Sequence, residues 1–337
     1  MSFGDHSLRG ALLLAASLGF ASAQAPVLDD PTATWALTWE NDSFFGLDEN
    51  YTSGLRLSYL SGNQKLDAMG RFVAASILKL DTDPSRLRVR RGFSIAQEIY
   101  TPRTVNVTTP LPDEHPYAGY LYGRFTRLIE QVDRVDEVSL DVGIVGPSAL
   151  GQQAQDFVHN IFGREEYLGW DNQIDDTPAV NISYARQRRV AHSKRDQGIG
   201  WDCIVNGGFS FGTVETAVRG GANVRIGQNL RTSFGPPRVR PSTAGSGFFR
   251  PQQGLSWYVF GGGEVSARAH NIFLDGSLFR DDDPSVEKQV VIADVQSGAA
   301  IQLGRTQLTF TYVVRTQEFA TQDVNQQFGA FSIARRF

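Results

Sequence analysis

The stretch 141–159, DVGIVGPSALGQQAQDFVH, predicts a β-strand that passes directly into a short helix. From Ser139 to Ile144, apolar residues alternate with polar or small ones, which is the period of a strand with one apolar face. The Gly-Pro pair at 146–147 ends the strand. Gln155 and His159 follow at a spacing of four residues, so both side chains share one face of the helix. From this spacing alone, His159 is either a surface histidine or a catalytic base.

Strand-like segments recur along most of the chain. They cover residues 33–44, 50–62, 91–101, 117–131, 135–146, 178–193, 199–211, 215–229, 254–270, 287–301, 304–320 and 325–337. Several are long for soluble strands but suit tilted membrane-spanning strands, which need roughly 9–11 residues. The chain is therefore predicted to be all-β: a twelve-stranded antiparallel transmembrane β-barrel with a short external-loop helix, residues 149–162.

The alternation within these segments distinguishes a lipid-facing side from a lumen-facing side. Between Leu308 and Val314, apolar and aromatic residues alternate with threonine, and between Asn223 and Gly227 they alternate with Asn, Arg and Gly. A soluble β-sandwich has the same period. The last strand, however, ends on the aromatic Phe337, which is typical of outer-membrane barrels, and this favours the barrel.

The N-terminus carries the features of a secretory signal. Arg9 precedes an apolar run at 11–20, and a small-x-small site follows at 21–23. Residues 1–23 are therefore predicted to be a signal peptide, and residues 24–337 one outer-membrane barrel domain. The single cysteine excludes an internal disulfide, and a net charge of -4 gives no reason to expect a nucleic-acid partner.

Strand parity predicts which connections face outward. With both termini in the periplasm, connections 45–49, 102–116 and 147–177 are external. Two periplasmic connections are longer than usual, one between predicted strands 2 and 3 and one between predicted strands 8 and 9. Either they carry helices, as the 3–4 residue spacing of apolar residues in 65–80 indicates, or the strand count slips by one. The connection between strands 8 and 9, residues 230–254, is rich in Gly, Pro, Ser and Arg.

Polar and aromatic fragments gather at the predicted external rim. They are Trp39-Glu40-Asn41-Asp42, Tyr51-Thr52-Ser53-Gly54, Tyr100-Thr101-Pro102, His115-Pro116-Tyr117-Ala118-Gly119, the Gln155/His159 helix and Gly169-Trp170-Asp171-Asn172-Gln173. Taken singly, each is equally well a turn or an interface aromatic. Together they offer the oxygen ligands of a hard cation beside a histidine.

These fragments resemble the lipid A 3'-O-deacylase family of outer-membrane β-barrel proteins. The matching stretches are WENDSFF (39–45), NYTSGLRLSY (50–59), IYTP (99–102), PYAGYLY (116–122), GIVGPSALGQQAQDFVH (143–159), GWDNQ (169–173) and HNIFLDG (270–276). They keep a consistent order over most of the chain, and the GxVGPxxxGxxxQxxxH run is the most specific of them.

The resemblance implies a Ca²⁺-dependent ester hydrolase whose site lies between the barrel wall and the external helix. The family's functional residues fall on His159, Gln155, Asn41, Asp42 and Thr52. The neighbouring hydroxyl of Ser53 is a further candidate for substrate positioning. Asp42, Glu40 and Glu165 are the candidate metal ligands. The family also uses a lysine near the third strand. The segment 91–101 contains no lysine, and its one positively charged side chain is that of Arg91.

In the implied reaction, neutral His159 takes a proton from water and Ca²⁺ polarises the acyl ester carbonyl. The expected partner is lipid A, or lipopolysaccharide, in the outer leaflet of the bacterial outer membrane, with the protein acting as a monomer. An outer-membrane phospholipase is the alternative enzyme, although within residues 24–337 the only histidine closely followed by serine is His192-Ser193. A porin with Arg56, Arg225 and Arg315 in its lumen is the non-catalytic alternative.

Overall fold

The computed structural model describes residue 27 and residues 29–42, 50–77, 86–163, 166–193, 198–236, 238–239, 242, 245 and 247–337. The predicted signal peptide, residues 1–23, lies outside the described residues.

The described residues form twelve antiparallel strands that close into a barrel, with β1 paired to β12. The strands are β1 (Thr34–Asn41), β2 (Asn50–Leu60), β3 (Arg88–Thr101), β4 (Ala118–Glu130), β5 (Arg134–Val145), β6 (Thr177–His192), β7 (Gly200–Gly212), β8 (Glu215–Gly227), β9 (Leu255–Asn271), β10 (Val291–Leu303), β11 (Thr306–Arg315) and β12 (Gln326–Arg336). The twelve predicted strands are confirmed. The main differences are a later start of β10 and an earlier end of β11.

The two faces of the wall differ as the sequence pattern predicted. In β1, Trp35, Leu37 and Trp39 are 36–46% exposed, while Thr34 and Thr38, which alternate with them, are buried. Successive side chains of a strand point to opposite sides, so the tryptophans and Leu37 face lipid and the threonines face the lumen. The neighbouring strand β2 continues this apolar belt.

Among the described residues, three short α-helices lie in the connections: α1 (Ala68–Phe72), α2 (Gly151–Phe162) and α3 (Ile272–Asp275). A π-helical segment, Val73–Ile77, continues α1. The predicted helix over 65–80 is therefore confirmed over 68–77, and residues 78–80 lie outside the described part. Because the β2–β3 connection carries this helix, its length does not disturb the strand count.

In the part of the chain that the structure describes, no helix is long and apolar enough to cross a membrane.

The long connection between β8 and β9 enters the barrel from the periplasmic side. Its Phe234 and Phe248 are buried in one cluster with Leu128 of β4 and Ile204 of β7. Further along the connection, the backbone N–H of Val239 donates to Glu40 Oε1 at 2.8 Å. The described residues of this connection therefore occupy the lumen as a plug, which we call the luminal segment (228–254).

Ion pairs complete the filling of the lumen. Asp202 accepts hydrogen bonds from Arg189 and Arg225, and Asp294 accepts them from Arg238 and Arg315. Arg238 belongs to the luminal segment, so these pairs tie the plug to the wall. Charges buried in this way need such partners, because an unpaired one is costly to desolvate.

Candidate active site

Helix α2 is built onto the outer wall by its two flanking turns. Gly146, with φ of +117°, turns the chain out of β5, and the helix starts after Leu150 in the left-handed conformation. Gly163, at φ +64°, ends it, with its N–H donating to the His159 carbonyl oxygen. Gly151 approaches β4 closely: a Cβ there would lie 2.9 Å from the Cα of Gly119. Glycine at positions 119 and 151 therefore lets helix α2 start in contact with strand β4.

The buried face of α2 carries the predicted pair. Gln155 and His159 are each 4% exposed. Trp170 Nε1 donates to Gln155 Oε1 at 3.0 Å, and the ring of Tyr167 meets the His159 ring edge-on at 4.8 Å between centroids. Because an indole N–H only donates, it fixes the orientation of the Gln155 amide. The Gln155 Nε2 group is buried and has no hydrogen-bond partner among the described residues.

Aromatic side chains join this helix face to the barrel wall. Ile99 of β3, Tyr117, Tyr167 and Trp170 form one buried cluster, in which the Tyr117 and Trp170 ring centroids lie 4.9 Å apart. Gln97, on the same outer face of β3, donates from Nε2 to the Ala149 carbonyl oxygen at 2.7 Å. The helix is thus fixed to the outside of the barrel at its external end.

A β-bulge shapes the neighbouring wall. The pairing of β2 with β3 shifts between Tyr51 and Ser53, so Thr52 is the extra residue. Tyr51 points inward and donates to Glu40 Oε2 at 2.8 Å, whereas the Thr52 hydroxyl contacts the Thr101 hydroxyl at 2.6 Å. Bulges commonly redirect side chains in this way next to active sites.

The ends of β1 and β2 contribute further predicted residues here. Asn41 pairs with Ser53 across the two strands and lies on the outer face, two residues beyond the lipid-facing Trp39. Asp42 follows, fully buried, and its N–H donates to the Thr52 carbonyl oxygen at 3.4 Å. Asn41, Thr52 and Ser53 therefore share one outer patch, which meets the α2 contacts along β3.

Three other residues singled out from the sequence lie elsewhere. Glu40 faces the lumen, where its carboxylate accepts hydrogen bonds from Tyr51 and from the luminal segment. Glu165 lies outside the described residues. Arg91 lies at the periplasmic end of β3 and pairs with Asp67 at 2.7 Å, so it is remote from the external rim. A cation does lie near the external end of β3: Arg103, two residues beyond the strand, pairs with Asp323 at 2.9 Å.

The oxygen donors at the ends of β1 and β2 are compatible with a calcium ion. Asn41, Asp42, Thr52 and Ser53 offer amide, carboxylate and hydroxyl oxygens, which are the ligand types of Ca²⁺. The described residues contain no group of three or more His, Cys, Asp or Glu side chains placed to hold a metal.

One carboxylate beside the histidine is electrostatically perturbed. Asp156 lies on α2 one turn before His159. Partial burial and the nearby negative charge of Glu166 raise the pKa of Asp156, and His159 opposes this shift.

Comparison with known proteins agrees with this architecture. The sequence model of a family described as outer membrane protein LpxR matches residues 9–337. The chain belongs to the LpxR family. This confirms the resemblance drawn from the motifs, and it places the protein in the bacterial outer membrane, as the strand pattern predicted.

Solved structures extend the comparison to the fold of the LpxR family. LpxR from Salmonella typhimurium matches with a TM-score of 0.73 and 21% identity, over 90% of this chain and 100% of that chain. The β domain of the Bordetella autotransporter BrkA gives a TM-score of 0.39 at 11% identity, over 91% and 98% of the two chains. No curated relative matches the chain in sequence.

Sequence reasoning assigned no role to Trp170, Tyr167 and Thr101, which contact the candidate residues Gln155, His159 and Thr52 respectively. The first and last of these stood in matching motifs, which was a signal of position but not of role. The motif at 270–276 lies elsewhere on the rim: the Asn271 side chain caps α3 by accepting from the Phe273 N–H at 3.3 Å.

Proposed function

We propose that this protein is an ester hydrolase that removes the 3'-O-linked acyl chain of lipid A in the outer leaflet. The observation that carries the proposal is the burial of Gln155 and His159 against the outer wall at the external end of the barrel. A site on the outside of the wall, at this height, is open to a lipid of the outer leaflet. Membership of the LpxR family supports the same substrate.

In the proposed reaction, His159 is the general base. Its imidazole takes a proton from a water molecule, and the water oxygen bonds to the ester carbonyl carbon. The tetrahedral intermediate then collapses: the bond to the sugar oxygen breaks, and the imidazolium returns the proton to that oxygen. The products are a free fatty acid and a hydroxyl on the sugar.

Gln155 is proposed to stabilise the oxyanion. Its Oε1 is occupied by the Trp170 indole, so its Nε2 is the end that can donate to substrate. A preorganised donor aimed at developing negative charge is effective because it needs no reorganisation during the reaction. Trp170 is then a positioning residue, which acts only through the Gln155 amide.

Ca²⁺ is proposed as the cofactor, held by Asn41 and Asp42 with Thr52 beside them. When bound, the ion would polarise the ester carbonyl and stabilise negative charge on its oxygen. Ser53 is proposed to position substrate, because it pairs with Asn41 on the same face. Glu40 is left out of the ligand set, since its carboxylate lies in the lumen.

The same donor set supports an expectation about affinity. A site with few charged ligands binds Ca²⁺ weakly, as extracellular modules do at about 10⁻⁴–10⁻³ M. We expect half-maximal activity in that range of free Ca²⁺. Titration with buffered calcium measures it, and full activity in excess chelator would remove the metal from the mechanism.

Neither alternative function gains support from the geometry. A porin needs an open lumen, and the luminal segment occupies this one. For a phospholipase, His192 and Ser193 would have to interact through the serine hydroxyl. Instead His192 Nδ1 contacts the Ser193 carbonyl oxygen, while the hydroxyl accepts from the Trp201 N–H. The barrel closes on itself through β1 and β12, so a monomeric state is proposed.

Mass spectrometry of lipid A tests the proposal. Membranes would carry the wild type, His159→Ala or the matched control Asn160→Ala, whose side chain is exposed on another face of α2. We expect the wild type and the control to release one acyl chain, and only with Ca²⁺. Unchanged lipid A with folded, inserted wild type would reject the proposal; heat-modifiable mobility on gels verifies folding.

A further inference from the structure

Helix α2 presents three chemically different sides. One is the wall side, with Gly151, Gln155 and His159 buried. The other two both face away from the protein, and they differ in the residues that they display.

The first of these outer sides is apolar. Phe157 is 67% exposed, Val158 is 41% exposed and Ile161 is 61% exposed. Leu150, just before the helix, and Leu168, just after it, are about half exposed. Contiguous apolar patches of this kind usually mark a surface that contacts another apolar phase.

The second outer side is polar. Gln152, Gln153, Asp156 and Asn160 follow one another at helical spacing, and Gln153 and Asn160 are exposed. An isolated helix with an apolar and a polar side lies in a membrane interface, with its axis in the plane of the membrane. Here a third side is taken by the barrel wall.

The position of the helix on the wall matches such an interface. Gln97, which holds the start of the helix through Ala149, pairs with Leu55 of β2, and Leu55 pairs with Trp39 of β1. Leu55 is 48% exposed and Trp39 is 36% exposed, so both belong to the lipid-facing belt. Tryptophan is enriched where such a belt meets water. The apolar side of α2 therefore continues the belt at its external edge.

We propose that α2 is an interfacial helix whose Phe157, Val158 and Ile161 contact the acyl chains of outer-leaflet lipids. The leaflet then covers the apolar side and keeps the helix against the wall. The slot that holds Gln155 and His159 opens sideways into the leaflet, so a lipid reaches it without leaving the membrane. This inference goes beyond the proposed reaction and does not depend on it.

Spin labels on the two outer sides test the inference. In a Cys203→Ser background, single labels would be attached after Phe157→Cys or Ile161→Cys, and, as matched controls, after Gln153→Cys or Asn160→Cys. The protein would be reconstituted in liposomes of phosphatidylcholine with lipopolysaccharide. Collision rates with molecular oxygen, which concentrates in hydrocarbon, and with a water-soluble nickel chelate would be measured for each label.

We expect oxygen to dominate at the two apolar positions and the nickel chelate to dominate at the two control positions. Equal access of the chelate to all four labels would overturn the inference. Shielding of the apolar positions from both agents would also overturn it and would indicate a second copy of the chain, which dipolar broadening between labels would reveal. None of these readouts requires hydrolysis, so they remain decisive even if no lipid A is cleaved.

Discussion

Asp202 in the lumen and Gln155 in the slot beneath α2 are both buried polar side chains, but they use their hydrogen-bonding groups to different extents. In the lumen, Arg225 and Arg189 occupy both carboxylate oxygens of Asp202, at distances between 2.5 and 2.9 Å. In the slot, the Gln155 amide is held at one end by Trp170, and its Nε2 has no hydrogen-bond partner among the described residues. A buried donor left without a partner costs about 1–3 kcal/mol. This difference indicates that the Asp202 carboxylate links neighbouring strands of the wall, and that the Gln155 Nε2 group is available to donate to a substrate.

The sharpest test of this comparison is His159→Ala, which should remove activity but not stability. Loss of a general base lowers the rate by about 10²- to 10⁴-fold. Initial rates of fatty-acid release from lipid A measure the loss, and denaturant unfolding measures stability. A variant that keeps wild-type rates would show that the slot contains no base at this position.

Asp202→Ala should do the reverse in the lumen. It leaves Arg189 and Arg225 buried without their shared carboxylate, and breaking a buried ion pair in this way costs about 3–5 kcal/mol. We expect a large fall in the free energy of unfolding, measured in urea in detergent micelles. Specific activity of the folded fraction should stay close to that of the wild type. A selective loss of activity would show that the lumen and the slot beneath α2 are functionally coupled.

Trp170→Phe should affect the slot more moderately. Without the indole donor the Gln155 amide is free to turn, and loss of one oxyanion donor costs up to about 10²- to 10³-fold in rate. Gln155→Ala should fall to a similar level. The double variant distinguishes positioning from packing: its activity should equal that of Gln155→Ala alone, whereas independent effects would multiply.

The smallest predicted effect is the pH-dependent contribution to stability of Asp30, which lies at the periplasmic mouth of the barrel. Burial alone would raise the pKa of Asp30, but the hydrogen bond from Thr32 and the guanidinium groups of Arg90 and Arg336 outweigh it and lower the pKa to about 2. A carboxyl with a lowered pKa in the folded state contributes stability above its unfolded pKa of about 3.9, and this contribution is lost as pH falls through about 2.

Asp30→Asn should therefore destabilise the barrel at pH 7, by less than Asp202→Ala does. The gap from the wild type should stay constant between pH 7 and 5 and shrink below about pH 4. Thermal unfolding across this range measures it. A gap that changes between pH 7 and 5 would assign the pH response to another group.

The strands were predictable because register in a closed wall is strongly determined. A shift of one residue would turn Trp35 and Leu37 into the lumen and Thr34 and Thr38 toward lipid. The same alternation separates Glu40 from its neighbours, yet grouping 39–42 as one fragment hid this difference. The Gln155/His159 pair was predictable from helical spacing, and α2 displays both on its buried face.

Other features depended on contacts between distant segments. Thr52 reaches the outer face only because β2 bulges against β3, and no local pattern in 50–59 marks the bulge. The composition of 230–254 predicted a long connection. That it fills the lumen follows from its ion pair with Asp294 and its hydrogen bond to Glu40, on strands far away in the sequence.

The sequence by itself determined the barrel and the helix that carries His159, because strand and helix periods are local properties of side-chain direction. Only the tertiary structure decided which polar groups are satisfied. Trp170 takes one end of the Gln155 amide across 15 residues of chain. Arg189 of β6 and Arg225 of β8 meet on Asp202 of β7, the strand between them. Hydrogen bonds form between whichever groups the closed barrel brings together, and no local period encodes that choice.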